Sequence, residues 1–328
     1  MKKLFKILAY IIGGVAVLLI AFSIYFNSTY PQVDPPVNEK VEITPARIAR
    51  GEYLAKHVTV CMDCHSVRDW SKFSGPPKPD TWGMGGDRFG EDMGLPGTLF
   101  AKNITPAGIG EWSDGELIRA ITCGVNNKGN AFFPLMPYLN YNHLVKEDLY
   151  SIIAYVRSLE PIKNEVPEGS LNFPLNFIVK TIPPKSYNPS PEPDKNDPAK
   201  YGEYLTKMAA CFDCHTPSVK GEYIVEKAFA GGAEFMLPSG TVRSANLTPD
   251  IATGIGKWTK DQFIARFKLM DPDSNQIASV DFMKEFNTPM PWTMYAGMTR
   301  EDLGAIYEFL RTVKPLRNAV TKFTPAKL

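Results

Sequence analysis

Apolar residues are distributed unevenly along this chain, and the densest block comes first. Residues 7–26 form an almost wholly apolar run of 20, and after Lys6 no charged residue appears until Asp34. A helix of that length spans about 30 Å, the thickness of a bilayer's hydrocarbon core. Lys2, Lys3 and Lys6 precede the run, which predicts a cytoplasmic N-terminus with the following chain exported. Ala21-Phe22-Ser23 makes a poor cleavage site because Ile24, Tyr25 and Phe26 follow it. The pattern therefore predicts an uncleaved signal-anchor over residues 1–33, single-pass in the cytoplasmic (inner) membrane of a bacterial host. No later segment is long and apolar enough to span again. Downstream, the apolar spacing becomes helical: Leu149, Ile152, Ile153, Val156 and Leu159 make one stripe, and Leu303, Ile306, Tyr307 and Leu310 another.

Those two stripes belong to an internal repeat of about 150 residues. Gly51-Glu52-Tyr53-Leu54 recurs as Gly202-Glu203-Tyr204-Leu205, and Glu147-Asp148-Leu149 recurs as Glu301-Asp302-Leu303. Asn103-Ile104-Thr105-Pro106 with Gly108-Ile109-Gly110-Glu111-Trp112 returns as Asn246-Leu247-Thr248-Pro249 with Gly254-Ile255-Gly256-Lys257-Trp258. A period this long predicts a duplicated domain, at residues 45–160 and 198–320. The connector, residues 161–197, is rich in proline and reads as extended and semi-rigid. Its apolar piece, residues 171–179, is expected to lie against one of the domains.

Start signals agree between the copies. Thr44-Pro45 and Asp197-Pro198 each offer an N-cap followed by proline at the first helical position. Ser113 with Glu116, and Thr259 with Gln262, are capping boxes opening helices over 114–122 and 260–269. Strand alternation is scarce and glycine- and proline-rich loops fill the gaps, so an all-α fold is expected. Residues 74–97 form such a loop, longer than its counterpart in the second copy. Three or four short helices per copy make a small core for more than 100 residues, so something else must fill it.

Composition excludes several classes. With 36 Lys+Arg against 35 Asp+Glu and a formal net charge of +1, nothing marks a nucleic-acid binder. Five cysteines in 328 residues are too few for a disulfide scaffold. Four of them stand in two equivalent motifs, Cys61-Met62-Asp63-Cys64-His65 and Cys211-Phe212-Asp213-Cys214-His215. Such a motif reads as covalent attachment of a c-type haem. Cysteines three apart share a helical turn and can form thioethers to one porphyrin, while the next residue, histidine, points at the iron. A zinc site from Cys61, Cys64, Cys211 and Cys214 would have its halves about 150 residues apart. A thioredoxin-like pair would need a βαβ context. Neither rival explains a histidine after both pairs.

Elimination suggests the sixth ligand. Beyond His65 and His215 only His57 and His143 remain, both in the first copy. A thioether is then the natural candidate, and Met136-Pro137-Tyr138 recurs as Met290-Pro291-Trp292, 71 and 75 residues after the two histidines. Both methionines precede a proline, which stiffens the loop. Met136 and Met290 are accordingly expected as axial ligands, and His57 and His143 as structural or exposed residues.

These motifs resemble the class I cytochrome c domain, twice in tandem. The Asn-[Ile/Leu]-Thr-Pro and Gly-Ile-Gly-x-Trp element is similar to that of cytochrome c subunits attached to membrane-bound alcohol, aldehyde and gluconate dehydrogenases. The resemblance covers residues 45 to 320 and departs in having two haem motifs, where those subunits usually carry three, and an N-terminal anchor. It implies two covalently bound haem c groups, a dehydrogenase as electron donor and a cytochrome or oxidase as acceptor. It also implies close crossing of the first and last helices, with Gly51 against Tyr155 and Gly202 against Phe309. Trp112 and Trp258 stand either near haem propionates or in plain core packing.

His/Met ligation fills both axial positions, so the expected protein is a periplasmic electron relay and not an enzyme. The alternative is a di-haem enzyme, a peroxidase or a thiosulfate-oxidising cytochrome, with one accessible haem. Cys123, the remaining cysteine, could serve such an enzyme as a ligand, though a lone cysteine there is most often a buried thiol. A haem-based sensor would need an output domain that is not recognisable.

Overall fold

A computed structural model describes residues 2–272 and 277–326 of the chain. The leading apolar run is one helix, Lys2–Thr29, with no buried residue. Among the described residues it alone is long and apolar enough to cross a membrane.

The two copies then build the same helical frame. Thr44 accepts from the Arg47 amide at 3.2 Å and starts Pro45–Tyr53. Asp197 accepts from the Lys200 amide, also at 3.2 Å, and starts Pro198–Met208. Both capping boxes form, opening Asp114–Cys123 and Lys260–Lys268. The predicted stripes face inward from the last helices: Leu149, Ile152, Ile153 and Val156 on Lys146–Ser158, and Leu303, Ile306 and Leu310 on Arg300–Thr312. Each such buried aliphatic side chain contributes about 1.5–3 kcal/mol.

In each copy the first helix packs on the last one, and a glycine sets how closely. A Cβ on Gly51 would lie 1.8 Å from the carbonyl oxygen of Ser151 and 2.8 Å from Tyr155 Cβ. On Gly202 it would lie 1.8 Å from the carbonyl oxygen of Ala305. The nearest atoms belong to Ala305 and Ile306, and Ala305 is the position equivalent to Ser151. The two crossings therefore fall at equivalent positions, and the Phe309 ring meets Phe229 edge-on at 5.9 Å.

The all-α expectation is overturned: three small antiparallel sheets fill the loops among the described residues, and the fold mixes helix and strand. Arg88–Phe89, Gly97–Phe100 and Ser170–Leu171 form one, and Ser218–Val219 with Glu222–Tyr223 another. Glu234–Leu237, Gly240–Arg243 and Phe323–Pro325 form the third. The hairpin in this last sheet turns on Pro238-Ser239 alone, with Leu237 opposite Gly240. Its inward positions are only Leu237, Val242 and half-buried Phe235, too few to register as alternation. Third strands arrive from far along the chain, so local sequence gives no sign of them.

The connector divides its contacts. Ser170–Leu171 joins the first copy's sheet, whereas Phe177 lies against Phe26 at the end of the leading helix, ring centroids 5.8 Å apart. Residues 171–179 thus touch the first copy at Leu171 and the leading helix at Phe177, and Val179 is buried.

The copies face each other through exchanged contacts. Tyr53 donates to Asp302 at 2.5 Å, and its counterpart Tyr204 donates to Asp148 at 2.7 Å. Each tyrosine oxygen also accepts an amide of the opposite copy, Thr299 to Tyr53 at 3.1 Å and Val145 to Tyr204 at 3.3 Å. Residue i meeting j while j′ meets i′ is the signature of a twofold relation.

Candidate functional site

Each cysteine motif begins with a left-handed residue that is not glycine. Val60 has φ 45° and Ala210 has φ 51°, and each precedes a short helical turn, Cys61–Cys64 or Cys211–His215. Conformations of this kind cost of order 1 kcal/mol and persist where the surroundings dictate them. Tyr141 donates to the Thr59 carbonyl and Tyr295 to the Ala209 carbonyl, both at 2.6 Å, holding the entry to each turn.

The histidine that ends each motif is oriented identically. His65 Nδ1 lies 2.7 Å from the Lys102 carbonyl oxygen, and His215 Nδ1 lies 2.7 Å from that of Ala245. A proton on Nδ1 donates to the carbonyl, so the lone pair sits on Nε2, which is the arrangement a metal-ligating imidazole needs. Burial pushes both histidines toward the neutral form, which a ligand also needs.

The Asn-x-Thr-Pro element explains why those carbonyls stand where they do. Asn103 Oδ1 accepts from the Thr105 amide and hydroxyl at 2.9 and 2.7 Å, and Asn103 Nδ2 donates to the Ile162 carbonyl at 2.8 Å. Asn246 repeats this with Thr248 at 2.9 and 2.8 Å and with the Leu316 carbonyl at 2.7 Å. The asparagine pins the residue just before it, Lys102 or Ala245, to the chain leaving the last helix. The two tryptophans add main-chain anchors to that helix: the Trp112 carbonyl accepts from Arg157, and the Trp258 carbonyl from Tyr307 at 2.7 Å. Trp112 packs against the core, whereas Trp258 is 37% exposed.

Cys61, Cys211, Met136 and Met290 are all half-buried and pack against the same apolar core. Cys64 is half-buried and Cys214 exposed. The four motif cysteines do not gather as a zinc site requires: among the described residues no three His, Cys, Asp or Glu side chains converge. The donor set present in each copy, two thiols, an imidazole nitrogen and a thioether, fits a c-type haem. An orphan supports a missing polar neighbour: the hydroxyl of Tyr138, two residues after Met136, is fully buried without a partner.

The remaining candidates stand elsewhere. Cys123 is 2% exposed, 3.6 Å from Thr122 Oγ1, and burial pushes its thiol up. His57 Nδ1 lies 2.8 Å from the Met294 carbonyl, in the opposite copy. The carbonyl of His143 accepts from the Ser190 amide in the connector at 3.3 Å.

Contacts between the copies at the cysteine motifs were not anticipated from the sequence. Asp213, inside the second motif, accepts from Asn140 of the first copy at 2.6 Å. Asp63, inside the first, instead pairs within its own copy, with Arg68 at 3.1 Å, and both side chains are almost fully buried. The Cys-x-Asp-Cys recurrence was the available signal, but it names no partner.

Residues 199–314 match the family model described as Cytochrome c. The chain is 26% identical over 299 residues to the cytochrome c subunit of the quinone alcohol dehydrogenase of Gluconacetobacter polyoxogenes, covering 85% of this chain and 58% of that protein. It is 29% identical over 237 residues to the gluconate 2-dehydrogenase cytochrome c subunit of Pantoea cypripedii, covering 66% and 49%. A diheme cytochrome c-type protein of Cereibacter sphaeroides is 28% identical over 247 residues, covering 72% and 78%. The chain thus spans about half the length of the dehydrogenase subunits it matches.

Proposed function

Since the second half of this chain is a cytochrome c domain and the chain is homologous to cytochrome c subunits of alcohol and gluconate dehydrogenases, we propose that it is a membrane-anchored di-haem electron relay. Covalent haem c follows from the family; two groups per chain is our reading. A bound haem iron supplies reversible one-electron exchange. Cys61 and Cys64 would hold the first group through thioethers, and Cys211 and Cys214 the second. His65 and His215 present Nε2 because their Nδ1 protons are committed to the main chain. Met136 and Met290 would supply the opposite donors from proline-stiffened loops. Held by one histidine and one methionine, each group would leave no place for water or substrate to bind, and the chain would perform electron transfer without bond chemistry of its own.

The observation that carries this reading is the paired histidine geometry, the same 2.7 Å contact to a main-chain carbonyl in both copies. The Lys2–Thr29 helix serves as the anchor, with both copies on the periplasmic side of the cytoplasmic membrane. A dehydrogenase is the donor, in line with the relatives being subunits of alcohol and gluconate dehydrogenases, and a respiratory cytochrome or oxidase is the acceptor.

Optical and EPR spectra of the oxidised full chain in detergent test this. Two low-spin haems with a methionine-to-iron charge-transfer band are expected. Met136→Ala and Met290→Ala should each remove about half of that band, since each methionine serves one of two equivalent ligand sets. A high-spin haem in the unmodified chain would overturn the relay and make the protein an enzyme. Cys123→Ser should leave the spectrum unchanged, because the thiol is buried and held protonated; loss of a thiolate signature in that variant would instead make Cys123 a ligand.

A further inference from the structure

We propose that Ser74, in the first copy, is a positioning residue for Met290, so that the methionine loop of the second copy is set by the first. The inference rests on the reading of Met290 as an axial ligand. Ser74 is fully buried and holds φ +68°, a left-handed conformation for a residue with a side chain. Its hydroxyl donates to the Met290 carbonyl at 2.6 Å and accepts from the Trp292 amide at 3.0 Å. Its own amide donates to Asn287 Oδ1 at 2.8 Å, and Asn287 Nδ2 donates back to the Lys72 carbonyl at 3.1 Å. The Met290 amide is held by Thr288 Oγ1 at 3.1 Å. The Met290 carbonyl also accepts from the Trp292 amide of its own loop at 2.8 Å, so the other copy adds the Ser74 hydroxyl to a bond the loop already makes.

The serine is itself held from the first cysteine motif. Arg68 donates to the carbonyls of Ser74 and Gly75, both at 2.9 Å, while pairing with Asp63 at 3.1 Å. Polar contacts therefore run without a break from Asp63, between Cys61 and Cys64, to the loop that carries Met290. Apolar contacts flank them: Trp70 stacks on Phe282 with centroids 4.9 Å apart, and Phe73 meets Phe286 at 6.0 Å. Main-chain bonds from Phe73 to Ala278 at 2.8 Å and from Val280 to Ser71 at 2.9 Å complete the seam.

Among the described residues the contact in the other direction stops short of the methionine: Asp213 accepts from Asn140, four positions past Met136, at 2.6 Å. The Met136 carbonyl accepts from the Tyr138 amide at 2.8 Å, and among the described residues no side chain of the second copy reaches it. Chain lengths account for the difference. His65 to Asn103 spans 38 residues against 31 from His215 to Asn246, and Trp258 to Met290 spans 32 against 24 from Trp112 to Met136. The extra length of each copy meets that of the other at Ser74.

The test uses the full chain in detergent and imidazole as a competing ligand. In a Met136→Ala background the remaining charge-transfer band reports Met290 alone. Adding Ser74→Ala should let imidazole displace that band at about tenfold lower concentration, the effect of two ordinary hydrogen bonds lost from the loop. Ser74→Gly should do the same; glycine accepts the left-handed backbone, so this variant removes the hydroxyl without strain. In a Met290→Ala background neither Ser74 substitution should move the band left by Met136. If both Ser74 variants match their Met136→Ala parent, or if the Met136 band shifts equally, the positioning role is wrong. If Met290→Ala leaves the whole band intact, the ligand assignment is wrong instead.

Discussion

Replacing Cys211 and Cys214 together by alanine is expected to lower the haem content of the full chain from two groups to one. The remaining haem should keep a low-spin spectrum, because the donors proposed for it, His65 and Met136, belong to the first copy and are not altered. Cys61→Ala with Cys64→Ala should produce the complementary single-haem protein, and the fourfold variant should carry none covalently. The reasoning is chemical. A thioether is a covalent bond, whereas a histidine and a methionine alone hold haem reversibly, so denaturation and extraction separate the two cases. The measurement is a haemochrome assay per mole of chain after acid-acetone extraction. A value that stays at two in the Cys211/Cys214 variant would remove the thioether reading. A value of one in the unmodified chain would leave a single functional copy.

Gly202→Ala is expected to destabilise the protein by about 1–2 kcal/mol, although alanine is the better helix former. Helix propensity alone favours the change by about 1 kcal/mol. Against it stands the Cβ, which would sit 1.8 Å from the carbonyl oxygen of Ala305 and 2.4 Å from its carbonyl carbon. Those are main-chain atoms of the last helix and cannot rotate aside, so the helices must part and lose the packing of Leu205 and Ile306, both nearly fully buried. Overpacking of that kind typically costs about 1–3 kcal/mol, and occasionally more. Gly304→Ala is the control. Its Cβ would find nothing closer than Lys260 Cδ at 3.5 Å, so the propensity term should prevail and stabilise by about 0.5–1 kcal/mol. Urea midpoints of the haem-loaded chain check both; equal shifts of the same sign would mean that the close crossing does not govern stability.

Local features of this protein were legible in its sequence because their causes lie within a turn or two of chain. Thr44, Ser113, Asp197 and Thr259 cap the helices they precede since a side-chain oxygen needs to reach an amide only three residues on. The leading apolar run needs no partner to become a helix. The cysteine motifs are read the same way, from two thiols and an imidazole compressed into one turn. The repeat likewise announced which residues would occupy equivalent places. Helical stripes such as Leu149, Ile152, Ile153 and Val156 were clear because a helix face is sampled by many residues, unlike the strand faces of Glu234–Leu237 and Gly240–Arg243.

Partners remote in sequence were decided by the tertiary structure alone. The carbonyls that orient His65 and His215 belong to Lys102 and Ala245, and a carbonyl leaves no mark on residue type. The equivalence of Tyr53 with Tyr204 and of Asp148 with Asp302 was visible, but not that each tyrosine would bind the aspartate of the other copy. Ser74 and Met290 lie 216 positions apart, in segments where the repeat itself breaks down. The sequence by itself determined the leading apolar helix and what each copy contains: one Cys-x-x-Cys-His turn, capped helices and their inward stripes. The tertiary structure decided what the copies do to each other, because an interface depends on which surfaces meet, and no periodicity along a single chain encodes that.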